Sequence, residues 1–134
     1  MLHILLIEDN PHDILLIREA IRTSPAKADV LIAYDGEQAL RMLNESGVRP
    51  DFIVLDLSIP RFDGFEVLRR YRADQGHPVA VFTASSNADE ERKARELGAK
   101  EFITKPMDLN QYLKPIQGFL ERWLPRQAST SSGA

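Results

Sequence analysis

Five short apolar runs recur along the chain, each followed by a segment with helical spacing. They are Ile4-Leu5-Leu6-Ile7, Val30-Leu31-Ile32-Ala33, Phe52-Ile53-Val54-Leu55, Val79-Ala80-Val81-Phe82 and Phe102-Ile103. Most are continuous rather than alternating and rich in Ile, Val and Phe, which is the pattern of strands covered on both faces. Between them lie apolar stripes: Ile14, Ile17, Ala20 and Ile21 after the turn Asn10-Pro11, Ala39, Leu40 and Leu43 after Asp35-Gly36, and Phe65, Leu68 and Tyr71 after Asp63-Gly64. A fourth segment, Ala88 to Leu97, has Asp89, Glu90 and Glu91 in its first turn and Arg92, Lys93 and Arg95 later, which suits the helix dipole, and Gly98 as a stop. A fifth runs from about Asp108 to Trp123. Strands alternating with helices imply right-handed crossovers, hence an α/β chain with a parallel sheet between two helix layers. Pro115 conflicts with the fifth helix, since it lacks the N–H for its bond to Gln111, and predicts a kink or a break there.

At 134 residues, 43% apolar and 28% charged, the chain suffices for one domain with its own core. Residues 1–124 are expected to form it, and the small, polar stretch 125–134 to be a disordered tail. Seventeen Lys and Arg against 20 Asp and Glu leave no basic excess for nucleic acid or an anionic membrane. The absence of cysteine removes disulfides, thiolate nucleophiles and Cys-based zinc sites. His3, His12 and His77 show no ligand spacing with one another. The run Ile4 to Ile7 is too short for a secretory or membrane segment, so a cytoplasmic location is expected.

In open parallel sheets, ligands bind beyond the carboxyl ends of the strands. Glu8 and Asp9 follow the first run, Asp56 the third, Thr83 the fourth, and Thr104 and Lys105 the fifth. With strand order 2-1-3-4-5, three carboxylates, a hydroxyl and an ammonium would converge on one rim. Clustered carboxylates are tolerable only if they take up protons or bind a cation. Mg²⁺, a hard ion satisfied by a few carboxylates plus water and phosphate oxygens, is the economical answer.

Four segments, ILLIEDNP (Ile4 to Pro11), FIVLDLSIPRFDG (Phe52 to Gly64), VFTAS (Val81 to Ser85) and GAKEFITKP (Gly98 to Pro106), resemble the receiver domain of two-component response regulators. The resemblance spans residues 2 to about 124 and implies a three-layer, flavodoxin-like (βα)5 sandwich in that strand order. It implies that Asp56 accepts a phosphoryl group from a sensor histidine kinase, and that Glu8, Asp9, Asp56 and the backbone carbonyl of Ser58 hold Mg²⁺. Lys105 would then contact the phosphoryl oxygens. Thr83 would bond the new phosphate and, by moving, admit Phe102, switching the surface of the fourth helix, fifth strand and fifth helix. Ser58 and Ala84 would set water access, and Lys105-Pro106 would be a cis bond. Glu8 departs from the commoner Asp by one methylene, favouring a water-mediated or altered metal contact. More loosely, Asp9 to Asp13 (DNPHD), Asp56 to Pro60 (DLSIP), and Ile116 to Phe119 with Trp123 resemble the stand-alone regulators of bacterial and cyanobacterial phytochrome histidine kinases. The far end of the fifth helix, Phe119 to Trp123, is expected to expose an aromatic patch suited to a homodimer or kinase contact. The surface of the fourth helix, fifth strand and fifth helix is a second candidate for dimerisation.

Other readings fare worse. An Asp at a strand end is more often a turn or N-cap residue, the role expected of Asp35, Asp51 and Asp63. Thr83 alone could cap the sheet, Lys105 alone could be solvated, and Phe102 is most simply a core aromatic. An aspartate-nucleophile phosphatase of the haloacid dehalogenase kind needs a second Asp where Ser58 stands. A flavodoxin-like FMN carrier needs a Ser/Thr/Gly-rich phosphate loop where Glu8-Asp9 would repel the ligand. Neither GxGxxG nor a P-loop is present. Retention of Asp56, Thr83 and Lys105 argues against a degenerate receiver. A phosphoacceptor that catalyses only its own phosphorylation and dephosphorylation, rather than an enzyme of metabolism, is the resulting expectation.

Overall fold

The five runs form one parallel sheet in a computed structural model that describes residues 2–25, 27–45, 47–71 and 76–123. The chain alternates β1 (Leu2–Ile7), α1 (Pro11–Arg22), β2 (Ala28–Ala33), α2 (Gly36–Asn44), β3 (Phe52–Leu55), α3 (Gly64–Tyr71), β4 (Val79–Thr83), α4 (Ala88–Glu96), β5 (Glu101–Thr104) and α5 (Leu109–Arg122). Strand order is β2-β1-β3-β4-β5, so β1 and β3 are neighbours, with Ile7 opposite Leu55. The proposed tail, 125–134, lies outside the described residues.

Because successive strand residues point to opposite faces, each central strand feeds two cores. Leu5, Ile7, Ile53, Leu55, Val79 and Val81 pack beneath α2, α3 and α4. Ile4, Leu6, Phe52, Val54, Ala80 and Phe82 pack beneath α1 and α5. Edge strands behave differently: β2 alternates between half-buried and exposed residues up to Ile32, leaving Leu31 exposed and only Ala33 fully buried, and β5 has no fully buried residue. Continuous apolarity in β2 therefore overstates its burial, because an edge strand has a neighbour on one side only.

Helix ends follow local chemistry. Asn10 caps α1 by accepting from the N–H groups of His12 and Asp13, and Asn87 caps α4 through Asp89 and Glu90. Asp35 accepts from Gln38 N at 2.7 Å and Asp63 from Glu66 N at 3.0 Å, the capping roles expected of them. Gly98 takes φ +109°, a left-handed stop after α4. Of the kink or break expected at Pro115, the break does not occur: α5 runs from Leu109 to Arg122 with the proline inside it. Ile116, Phe119 and Leu120, all buried beyond the proline, offset its cost of roughly 3 kcal/mol, since each buried side chain of this kind contributes about 1.5–3 kcal/mol.

Candidate phosphoacceptor and metal site

The sheet's hydrogen bonding continues one residue past its strands and so fixes where the polar residues stand. Glu8 N donates to Ala33 O at 3.0 Å, Asp56 N to Ile7 O at 3.0 Å, and Lys105 N to Thr83 O at 2.6 Å. The residues after β1, β3 and β5 are thus held in register with their neighbours at the carboxyl rim. Glu8 and Asp56 are 1% and 6% exposed, while Asp9 faces solvent. One carboxylate oxygen from each of the three lies within 4.8 Å of the others.

Lys105 joins this cluster. Its ammonium donates to Glu8 Oε1 at 3.0 Å, Asp56 Oδ2 at 3.1 Å and Asp13 Oδ2 at 2.8 Å. The other oxygen of Asp13 accepts from Tyr112 Oη at 2.6 Å, and Asp56 Oδ1 accepts from Ser58 N at 3.1 Å. Burial, reinforced by the neighbouring Asp56 carboxylate, pushes the Glu8 carboxyl up to about 7 against the pull of Lys105. Burial opposes the charge on Lys105, but bonds to Asp13 and Glu8 and the field of Asp56 outweigh it and hold the ammonium above its usual range. Burial likewise opposes ionisation of Asp13, yet the bonds from Lys105 and Tyr112 keep it below the usual carboxylate range. Tyr112 is pushed up by burial and then by its bond to Asp13.

Burial is the chief reason that Glu8 is raised, and the Asp56 carboxylate beside it at the rim adds to the rise. Three hard oxygens converging there fit a small divalent cation such as Mg²⁺, which takes a few carboxylates and keeps its waters. Glu8, Asp9 and Asp56 are the side chains that would hold it.

Thr83 is buried at the end of β4 and Ala84 is exposed just beyond it. Phe102 is half-buried in β5, packed against the core beneath α2, α3 and α4. Ser58 is exposed beside Asp56. Two expectations are corrected. Lys105-Pro106 is trans, the isomer that X-Pro bonds favour by about 0.5–1 kcal/mol, and the ammonium reaches all three carboxylates from it. Phe119 presents no surface patch, because it is fully buried with its ring 5.3 Å from that of Phe52. The helical period turns it into the core, and Trp123 is half-buried with Nε1 donating to Glu101 Oε2 at 3.3 Å. Neither Asp13, which the sequence shows only as the end of the segment DNPHD, nor Tyr112, inside the fifth helical segment, stands out there as a site residue.

With this geometry in place, the comparison with known families is decisive: residues 4–117 match the model of the response regulator receiver domain. The chain belongs to that family. It is a receiver-domain phosphosignalling protein with the family's acidic metal-binding cluster, and histidine kinases are the family's expected partners. It is 35% identical over 129 residues to the response regulator Rcp1 of Synechocystis sp., covering 90% of this chain and 88% of Rcp1. The phosphorylated cyanobacterial phytochrome response regulator RcpA superposes with a TM-score of 0.85 at 35% identity, covering 93% of this receiver and 95% of RcpA. The transcriptional regulatory protein CiaR of Streptococcus pneumoniae is 39% identical over 124 residues, but the receiver spans only 53% of its length. Among the described residues, no helix is long and apolar enough to cross a membrane.

Proposed function

We propose that Asp56 is the phosphoacceptor of this receiver and that a histidine kinase of the phytochrome class is its donor. An Asp56 oxygen attacks the phosphorus of the kinase phosphohistidine. The new O–P bond forms as the P–N bond breaks, and the electron pair leaves with the imidazole nitrogen. Both partners are anionic, so the work of the site is positioning and charge neutralisation. Mg²⁺, when bound by Glu8, Asp9, Asp56 and the Ser58 carbonyl, supplies charge neutralisation to the incoming phosphoryl oxygens. Lys105 gives its N–H bonds to the same oxygens, and Thr83 turns its hydroxyl toward them. That turn frees space for Phe102, shifting the population of surface arrangements along α4, β5 and α5. Ser58 and Ala84, both exposed beside the site, set how readily water reaches the acyl phosphate.

The observation that carries the reading is the buried Asp56 carboxylate sharing Lys105 with Glu8 while lying within the three-carboxylate cluster. Similarity to RcpA and Rcp1 over nearly the whole of each chain supports the phytochrome-class donor. One experiment tests both parts: a panel of phosphorylated kinases, phytochromes among them, is offered to the wild type and to Asp56→Asn with and without Mg²⁺. Transfer should be fastest from a phytochrome kinase, require Mg²⁺ and vanish in the variant. Labelling of Asp56→Asn at the wild-type rate rejects the acceptor, and faster transfer from another kinase class rejects the donor.

A further inference from the structure

All three N–H bonds of the Lys105 ammonium go to carboxylates, and the shortest, 2.8 Å, goes to Asp13 rather than to Glu8 or Asp56. Asp13 stands outside the cluster of oxygens suited to a cation. It is also held from three sides: Tyr112 Oη on one oxygen at 2.6 Å, Lys105 on the other, and the Asn10 cap on its backbone N–H at 3.1 Å. Tyr112 is itself 4% exposed and its ring centre lies 5.1 Å from that of Phe82 with the planes tilted by 56°, so the donor behind Asp13 is anchored in the core. Asp13 is therefore a fixed post on α1, braced from α5.

The other two anchors of Lys105 do not survive the reaction unchanged. When an Asp56 oxygen is esterified it ceases to attract the ammonium as a carboxylate does, and the bonds to Asp56 and Glu8 are the ones Lys105 redirects to phosphoryl oxygens. A lysine stem has many rotamers, and an ammonium released by two anchors at once would lose its orientation. We infer that Asp13, braced by Tyr112, is a positioning residue for phosphotransfer: it keeps Lys105 at the rim while the lysine hands its remaining bonds to the phosphoryl group. The inference rests on the role given to Lys105 above.

Labelling of the full chain by acetyl phosphate, followed across Mg²⁺ concentrations, tests it. Asp13→Ala should lower the maximal rate on the order of tenfold, with Tyr112→Phe lowering it less. The Mg²⁺ concentration giving half the maximal rate should move by less than about twofold, because Asp13 acts through the lysine rather than the metal. The double variant Asp13→Ala/Lys105→Ala should be no slower than Lys105→Ala alone, an outcome that a mere packing role for Asp13 would not give. Losses that multiply in the double variant, or an Asp13→Ala rate at or above wild type, overturn the brace while leaving the lysine's role standing. A wild-type rate in Lys105→Ala removes the lysine's role and the brace together. If Asp13→Ala does not fold, the nearly isosteric Asp13→Asn carries the same comparison.

Discussion

Charges are paired in two regions of this receiver by two different devices. On the helix surfaces, Arg92 meets Asp89 at 2.7 Å and Arg95 meets Glu91 at 3.1 Å, three and four residues apart, with both partners largely solvated. At the carboxyl rim, Lys105 meets carboxylates 49, 92 and 97 residues away, and its side chain is only 12% exposed. Surface pairs are set by helical spacing and screened by water, so little depends on them. Rim pairs exist because the fold brings the ends of β1, β3 and β5 together with the first turn of α1, and low dielectric makes each charge there matter. Function sits where topology, rather than local spacing, makes the pairing.

Breaking the rim pairing gives the largest effect on stability. Lys105→Ala leaves Glu8, Asp13 and Asp56 facing one another, and should cost about 3 kcal/mol at neutral pH without Mg²⁺. The loss should shrink when Mg²⁺ is added, because a cation then replaces the missing charge. Urea midpoints of wild type and variant, with and without Mg²⁺, measure both statements. An equal loss in both conditions would mean that the lysine and the metal do not share the cluster.

A pH series sharpens the contrast without mutation. Glu8 is raised from 4.5 to about 7, so the folded state holds its proton more tightly than the unfolded chain does. Its contribution is complete below 4.5 and is lost as pH rises through about 7. Stability of the metal-free protein should fall by about 2 kcal/mol between roughly pH 5 and 7. Mg²⁺ binds the ionised cluster and should flatten that fall. The series should lose its slope in Glu8→Gln; a slope that persists there assigns the proton to another group.

Arg92→Ala, on the solvated side of the comparison, should change stability by about 0.3 kcal/mol or less. A change above about 1 kcal/mol would contradict the division between the two regions.

What the sequence reveals follows the same division. Strands and helices are legible because their signals are local: apolar runs, stripes, and caps such as Asp35 and Asp63. Glu8, Asp56, Thr83 and Lys105 are legible because each ends or follows a strand, and rim position then follows from topology. Asp13 and Tyr112 are not, because their link spans 99 residues and neither adjoins a strand end. Burial of Phe119 follows the helical period of α5, whereas its ring contact with Phe52 joins α5 to β3 across the fold, and no local pattern records that contact. Nor does a local pattern reveal that β2 lies at an edge with Leu31 exposed. Helix continuity past Pro115 likewise reflects tertiary burial beyond the proline, whereas the residue's own propensity says the opposite.

On the reading proposed above, the fold delivers one particular carboxylate, among several within a few ångströms, to phosphoryl chemistry. Borohydride reduction of the acetyl-phosphate-labelled protein converts an aspartyl phosphate to homoserine, and peptide mass spectrometry then locates it. Homoserine is expected at position 56 alone, and only when Mg²⁺ was present during labelling. Homoserine at position 9 or 13, or equal conversion without Mg²⁺, would contradict it.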